Sequence, residues 1–354
     1  MPRSLIPQHR IPWRHLVLFG WMPGPLKVLA YRVLLGYRIG KGVKLSFLAA
    51  VVGDDVQLDE HVEIGVLAVV QGRRIRIGRH SSVGTMSYLS CNIIEIGEDA
   101  RIREQVFVGG PQLPESRFSL GDRTIILQST NINPTKPVTI GNDTGIGGHC
   151  LIFTHGAWLN VLDGYPATYE PVTIGASVWL PWRVFLMPGA TIGDGSVIGA
   201  NSLVSGTIPP RSLAVGTPAK VIRSAPQFPP TMDAGARAAK VAEILAEFDR
   251  YVGDCGTRID PGTPRTYHRD RRSFRLHWRH AGAPLGHVSA GETLLSEEAL
   301  RPEEVAVLRK AGAHWLDLAG RTRSVDGSPL TEELATFIGR YGIRLPRDRS
   351  ESTI

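Results

Sequence analysis

Two histidines six residues apart, His149 and His155, carry the side chains best suited to chemistry in this chain of 354 residues. Each lies three positions after an isoleucine, Ile146 or Ile152, so both occupy the same place in a six-residue spacing. An imidazole has a pKa near neutrality and can exchange a proton or bind a metal at physiological pH. A plain surface histidine at a turn is the alternative for either residue, more so for His149.

Polar and aromatic side chains follow His155 in the longest interruption of that spacing, which resumes only at Ile174. Asp163 and Glu170 could hold a neighbouring imidazole in one tautomer, although acidic loop residues are usually only solvated. Aromatic rings suit stacking on a sugar, or packing of the loop on its own scaffold. The aromatic residues of this segment are Trp158, Tyr165 and Tyr169.

The six-residue spacing itself predicts the architecture that would position these groups. In an α-helix, residues six positions apart do not lie on the same face. In an extended chain they do, so every sixth side chain can point inward. A small or β-branched residue four positions after each aliphatic marker supports a unit of short strand and bend, stacked into a parallel β solenoid. The most regular markers are Ile174, Leu180, Leu186, Ile192, Ile198 and Val204.

The spacing extends upstream to Ile39 with several breaks. The break from Gly109 to Phe118 predicts a second corner loop that could line a binding pocket. Asn131 and Asn133, near another break, could supply hydrogen bonds, although asparagines in turns need no function.

Residues 173–223 resemble the hexapeptide-repeat acyltransferases, a family that includes galactoside, maltose, serine and xenobiotic acetyltransferases. Three ordered segments carry the resemblance: 172–180, 187–200, and the closing Gly216-Thr217-Pro218-Ala219-Lys220-Val221-Ile222. It implies a left-handed parallel β-helix and transfer of an acyl group, acetyl above all, from coenzyme A. Over residues 39–223 the likeness is one of pattern more than of identity.

The resemblance also implies roles for individual residues. Catalysis in the family uses a histidine as general base on a hydroxyl or amine, which then attacks the thioester directly. His155 is the candidate base and His149 its rival. Lys220 and Arg223 are candidates for the phosphates of coenzyme A, with solvated charges as the alternative. Further expected donor contacts are Trp179, Gly199 and Ala200.

One departure from the family pattern lies beside Trp179. Pro181 and Trp182 stand where the family has glycine and a variable residue, which puts a close donor contact at this corner in doubt. Family precedent further implies a homotrimer with active sites between chains, acting on a sugar-like small molecule. An acyl carrier protein as donor stays open.

The flanks of the repeat predict three domains, at 1–38, 39–224 and 225–354. Helical spacing in 26–37, after Pro23-Gly24-Pro25, predicts an N-terminal helical cap on the first coil, with a peripheral membrane helix as the alternative. The C-terminal part predicts a helix at 233–252 and a small α/β appendage. Its expected elements are strands at 274–278 and 314–318 and helices at 296–310 and 331–341.

Composition bounds the remaining readings. A net charge of +7 arises from scattered basic residues without an aromatic platform, so we expect no nucleic-acid partner. Three distant cysteines argue against a disulfide framework and for a cytoplasmic protein, with Cys150 as buried packing. No run of apolar residues reaches the length of a membrane span.

Two other functions fit parts of the sequence. γ-Type carbonic anhydrases use the same solenoid with three zinc-binding histidines, but the six-residue separation of His149 and His155 departs from the family's five. We therefore expect no metal. The third possibility is a non-catalytic scaffold whose loops bind partners.

Overall fold

The computed structural model describes residues 11–110 and 113–348, and the chain divides into two compact units between Thr231 and Met232. In the first unit, successive strands join three parallel sheets in rotation. Ile174, Leu180 and Leu186 point inward from the first, second and third sheet, and Ile174 pairs with Ile192, eighteen residues later. Three six-residue steps therefore complete one turn of a parallel coil, and the predicted parallel sheets are confirmed.

The three sheets contain nine, ten and eight strands within the described residues. The first contains Arg38–Ile39, Asp55–Leu58, Arg74–Ile77, Ile93–Ile96, Arg117–Leu120, Val138–Ile140, Val172–Ile174, Thr191–Ile192 and Thr207–Ile208. The second contains Lys44–Leu45, Glu63–Ile64, Ser82–Val83, Arg101–Ile102, Ile125–Ile126, Gly145–Ile146, Trp179–Leu180, Val197–Ile198, Leu213–Val215 and Lys220–Arg223. The third contains Ala50–Val52, Val69–Gln71, Tyr88–Ser90, Phe107–Gly109, Asn131–Asn133, Leu151–Phe153, Phe185–Leu186 and Leu203–Val204.

The core of this unit is the stack of inward side chains. All six of the regular markers from Ile174 to Val204 are at most 1% exposed, because each lies directly above its counterpart in the neighbouring coil. The companion positions fill the corners, and Cys150 is among them with no exposed surface, as predicted. Stacking of identical inward positions is what makes a repeat stable when a single coil is not.

Two helices precede the first coil: α1 at Trp13–Phe19 and α2 at Gly24–Leu34. Phe19 and Tyr31 pack into the same core as the coil. Lys27 is fully buried, and its Nζ donates to the carbonyl oxygens of Gly20 (3.2 Å), Ser46 (2.8 Å) and Ala49 (3.2 Å). Burial lowers the pKa of Lys27 from its ordinary value. No helix within 11–110 or 113–348 is long and apolar enough to cross a membrane.

Up to residue 348, the second unit consists of a six-stranded mixed sheet and three helices. Leu245, Phe248, Leu276, Leu316 and Leu334 are central to its core. The helices are α3 (Ala234–Asp254), α4 (Pro302–Ala311) and α5 (Pro329–Gly339). The strands are Arg258–Asp260, Arg265–Arg269, Arg272–Arg279, Thr293–Ser296, His314–Asp317 and Thr322–Arg323.

One predicted boundary in this unit is wrong. The helix expected from Ser296 begins at Pro302, because Ser296 ends a buried strand and its hydroxyl donates to the carbonyl of Glu298. The helix starts instead at Pro302, where the Glu304 carboxylate accepts from the backbone N–H of the N-cap residue Arg301 (2.9 Å). The other predicted helices and strands of this unit are present within a few residues.

Candidate functional site

Three loops lie at one corner of the coil, where the chain passes from the third sheet to the first. They follow strands that pair side by side, Phe107–Gly109, Asn131–Asn133 and Leu151–Phe153, so the loops stack in that order. The Thr154 hydroxyl donates to the Asn133 carbonyl at 2.8 Å and ties the second loop to the third. Lys136 and Glu115 form an ion pair at 2.6 Å that joins the first two loops.

The third loop, residues 155–170, is called the arm. Its ends form a small antiparallel pair, His155–Gly156 with Thr168–Tyr169, and a 3-10 turn occupies Val161–Asp163. The backbone N–H of Glu170 donates to the Thr154 carbonyl at 3.0 Å and closes the base of the arm. The predicted loop is therefore a braced hairpin. Trp158 is 96% exposed at its tip.

His155 lies where the arm leaves the coil. Its ring stacks on that of Tyr169, with centroids 5.7 Å apart and planes 18° apart. Its Nδ1 is buried and has no hydrogen-bond partner among the described residues. A buried ring nitrogen is ordinarily paired with protein or with ordered water, so Nδ1 has the capacity for one further hydrogen bond.

The two carboxylates considered as orienting partners lie elsewhere. Asp163 accepts from the side-chain amide of Asn160 at 3.1 Å, within the turn of the arm. The Glu170 carboxylate lies over Gly189, so close that a Cβ at Gly189 would be 2.2 Å from Oε2. Neither is hydrogen-bonded to His155 in the single chain.

The other residues predicted to contact a substrate lie on the arm and on the third sheet. Tyr165 and Tyr169 are about half exposed on the arm. Asn131 lies in the third sheet, between Phe107 and Leu151 of the neighbouring strands. The first loop lies close to the strand that contains Asn131 and Asn133, because a Cβ at Gly110 would be 2.4 Å from the side-chain oxygen of Asn133. Pro111, part of the same predicted loop, lies outside the described residues.

A different corner, between the second and third sheets, holds His149. Its backbone is left-handed (φ 55°), and its ring centroid lies 5.6 Å from that of Trp182. Trp182 covers Gly148, where an added Cβ would be 2.5 Å from the ring. In the next coil, Asn201 donates its backbone N–H to the Trp182 carbonyl at 3.2 Å. The predicted donor residues Gly199 and Ala200 directly precede Asn201.

The other donor candidates lie on the second sheet. Trp179 pairs with Gly145 and Val197 and is 43% exposed. Lys220 and Arg223 begin and end an exposed strand that runs antiparallel to Leu213–Val215. Neither cation forms an ion pair with a described residue, so both can meet an anion.

The structure thus separates the predicted residues into two groups. The donor candidates and His149 lie on the second sheet and its corner with the third. His155 and the arm lie at the corner between the third and first sheets. Within one chain, the two groups occupy different edges of the coil.

One feature of the site escaped the sequence reasoning: the outer face of the third sheet is apolar. Its outward residues directly precede the inward markers and include Tyr88, Phe107, Leu151 and Phe185. Asn131 is the polar exception in this row. The equivalent outward positions of the first sheet are charged or polar, such as Arg76, Glu95 and Thr173. The residue before each marker, compared sheet by sheet, would have shown this difference.

The next question is whether the described residues of one chain could bind a metal ion. Among residues 11–110 and 113–348, no three His, Cys, Asp or Glu side chains are grouped as metal ligands. Cys150, at the corner beside His149, has its pKa raised to about 11 by burial, so its thiol is not a nucleophile at neutral pH.

Comparison with known proteins gives partial matches. No family model matches the chain. Galactoside O-acetyltransferase of Escherichia coli K12 is 55% identical over 120 residues, which cover 31% of this chain and 58% of that protein. A Staphylococcus aureus MRSA252 protein, provisionally named as an acetyltransferase, is 57% identical over 53 residues, or 15% of this chain and 27% of that one. The chain thus spans less than two thirds of the length of these relatives.

Solved structures give the same kind of match. A hexapeptide-repeat acetyltransferase of Vibrio cholerae O1 biovar eltor, complexed with acetyl coenzyme A, is 29% identical. The match covers 42% of this chain and 69% of that one, with a TM-score of 0.30. The predicted resemblance to acetyltransferases, galactoside O-acetyltransferase among them, is confirmed by the curated relatives.

Proposed function

We propose that this chain is an acyltransferase that moves an acyl group, acetyl in the first instance, from coenzyme A to a hydroxyl or amine. The observation that carries the proposal is the 55% identity to galactoside O-acetyltransferase over 120 residues. The parallel coil is proposed to be a left-handed β-helix, the form implied by the resemblance. In this arrangement residues 1–38 cap the coil, 39–224 form the transferase domain, and 225–354 form an appendage.

His155 is proposed as the general base. Its imidazole takes the proton from the acceptor hydroxyl or amine, whose lone pair attacks the thioester carbonyl. The carbon–sulfur bond then breaks, and the proton passes to the departing coenzyme A thiolate. A base placed in this way contributes about 10²–10⁴-fold to the rate. The Nδ1 atom supports the role, because it has no hydrogen-bond partner among the described residues and can bind either the acceptor or an orienting group in the assembled site.

Donor binding is assigned to the second sheet and its corner. Lys220 and Arg223 are exposed and without ion pairs, so they can neutralise phosphate groups of coenzyme A. Trp179, Gly199 and Ala200 would line the path of the rest of the donor. Pro181 and Trp182 depart from the family pattern at this corner, where the Trp182 ring covers Gly148.

The separation of His155 from these donor residues supports a site shared between chains. We assign a homotrimer in which the arm of one copy meets the second sheet of another. Burial of the apolar outer face of the third sheet would stabilise such an assembly. Leu162, 89% exposed in the single chain, would be covered by the neighbouring copy.

The acceptor is proposed to be a sugar-like small molecule. Trp158 and Tyr165 carry exposed aromatic rings on the arm that begins at His155, and such rings stack well on sugar rings. Tyr169, half exposed, would add a contact beside His155, on which its ring stacks. Asn131 would add a hydrogen bond from the third sheet. The three free cysteines accord with a cytoplasmic site of action.

Acetyl-CoA-dependent thiol release, measured over a panel of sugar acceptors, tests the proposal. We expect turnover by the wild-type chain, loss of about 10²–10⁴-fold in His155→Ala, and unchanged coenzyme A binding in that variant. His149→Ala is the matched control, since it removes the other imidazole of the pair. A folded wild-type chain that neither binds coenzyme A nor releases thiol would point to a scaffold instead.

A further inference from the structure

The two N-terminal helices expose large apolar side chains to solvent. Trp13, Val17, Trp21, Leu29, Val33 and Phe47 are each 50–70% exposed, and together we call them the N-terminal apolar surface. Trp13, Val17 and Trp21 repeat every four residues, and Leu29 and Val33 do the same on α2. This spacing places Trp13 and Val17 on one face of α1, and Leu29 and Val33 on one face of α2, whereas Trp21 lies in the turn between the two helices.

This surface is separate from the face that holds the helices on the coil. Phe19 and Tyr31 face inward and are at most 8% exposed. Trp21 contacts Phe47, at the edge of the first coil, with ring centroids 5.4 Å apart. The apolar surface therefore continues from the helices onto the coil. A water-facing helix ordinarily carries polar residues there, so a contiguous apolar face of this kind marks an interaction site.

The chain segment that carries this surface contains charged residues of one sign only. The sequence from residue 1 to residue 53 contains no aspartate or glutamate. Arg14, Arg32 and Lys41 are exposed and form no ion pair with a described residue. A groove of about 530 Å³ between α2 and the first coil is lined in part by Arg32, Lys41 and Lys44, although Lys44 also contacts Glu63 at 2.6 Å.

We propose that the N-terminal apolar surface binds an anionic phospholipid bilayer. The tryptophan and aliphatic side chains enter the interface between headgroups and acyl chains, and the surrounding cations meet the lipid phosphates. The groove beside α2 provides a place for a headgroup. Attachment is peripheral, since neither α1 nor α2 can span a bilayer.

Charge favours a bilayer over a second copy of the chain as the occupant. In a symmetric dimer through this surface, the same patch faces itself. Such a contact would bring Arg14, Arg32 and Lys41 of both copies together with no acidic residue from 1–53 to offset them. Like charges at an interface disfavour association, whereas an anionic lipid surface satisfies both the apolar and the cationic groups.

Vesicle sedimentation with the full chain tests the proposal. We expect binding to vesicles of phosphatidylcholine with phosphatidylglycerol, and binding at least about tenfold weaker to phosphatidylcholine alone or at high salt. The double variant Leu29→Asp/Val33→Asp should lose at least about tenfold in binding, because both side chains would carry a charge into the interface. Val307→Asp is the matched control, as Val307 is 59% exposed on α4 of the other unit.

Three further readouts keep the test decisive. Phosphatidylglycerol vesicles with brominated acyl chains should quench the fluorescence of Trp13 and Trp21, and Trp13→Phe/Trp21→Phe should lose that quenching. If the aspartate variant fails to fold, Arg14→Glu/Lys41→Glu replaces it, and it should also abolish binding. Absence of vesicle binding by the folded wild-type chain would overturn the proposal. So would an aspartate variant that binds vesicles normally but has a smaller oligomer, since the surface would then join copies.

Discussion

His155 and Tyr169 face each other across the two-stranded base of the arm, with ring planes only 18° apart. The antiparallel pair fixes both backbones, and the stacked phenol ring limits rotation of the imidazole. Orientation of His155 therefore comes from a ring contact, while its buried Nδ1 has no hydrogen-bond partner among the described residues. We interpret Tyr169 as a positioning residue for the proposed base.

The stacking contact predicts different effects for two substitutions of Tyr169. Tyr169→Phe keeps the ring and should retain near-normal kcat, whereas Tyr169→Ala frees the imidazole and should lower kcat by about tenfold. The KM for acetyl-CoA should stay constant in both, because the donor candidates lie on another edge of the coil. Equal losses in the two variants would assign the effect to the phenol hydroxyl and contradict the positioning role.

The separation of His155 from Lys220 predicts complementation between inactive variants. His155→Ala and Lys220→Ala/Arg223→Ala should each be weakly active alone, the second through a raised KM for coenzyme A. Oligomers re-formed from an equal mixture should recover activity in about one site in four, because each shared site draws its residues from two chains. The measurement is thiol release before and after mixing. No recovery, with mixed oligomers shown by mass spectrometry, would place both groups in one chain.

His15 predicts a pH dependence of stability. Burial, with a smaller effect from the Lys27 charge, lowers the pKa of His15 from 6.5 to about 4. Between pH 6.5 and about 4, His15 is protonated in the unfolded chain but largely neutral in the folded chain. The free energy of unfolding should therefore fall as the pH drops from about 6.5 towards 4, by about 1–2 kcal/mol after allowance for solvent exposure.

Denaturant midpoints across this pH range measure the effect. His15→Gln cannot titrate and can still hydrogen-bond the Tyr31 hydroxyl, the present partner of His15. This variant should lose the fall in stability between pH 6.5 and 4, whereas the exposed His287→Gln should keep it. An unchanged slope in His15→Gln would show that other groups cause the dependence.

The cysteines predict the absence of an acyl-enzyme intermediate. Burial raises the pKa of Cys91 to about 12 and that of Cys150 to about 11, whereas Cys255 is exposed. A disulfide reagent should thus titrate one thiol per native chain and all three in denaturant. Cys150→Ala should keep its turnover, because direct attack needs no thiol in the chain. Trapping of an acetyl group on Cys150 would contradict this mechanism.

Much of the first unit was predictable because its core repeats. Inward residues such as Ile174 and Ile192 stack on one another, so a single spacing specifies the strands, the sheets and the buried positions. The start of α4 was not predictable in the same way. Ser296 resembles a helix cap locally, but tertiary pairing makes it the end of a strand between Arg272–Arg279 and His314–Asp317.

The sequence predicted where along the chain the candidate site lies, but it did not predict the contacts among its side chains. The end of the spacing at Ile152 predicted the arm and placed His155 at its start. The stack of His155 on Tyr169 depends on the strand register inside the arm, and the hydrogen bond from Thr154 to Asn133 depends on two loops of different length meeting at one corner. No spacing within a single segment encodes such contacts.

A crystal structure of the oligomer with coenzyme A bound tests the central proposal most directly. We predict that the thiol sulfur lies next to the His155 imidazole of one copy, while the phosphate groups contact Lys220 or Arg223 of another. A thiol that ends beside His149 and Trp182 of a single chain, with His155 remote from it, would contradict the assignment of His155 as the base.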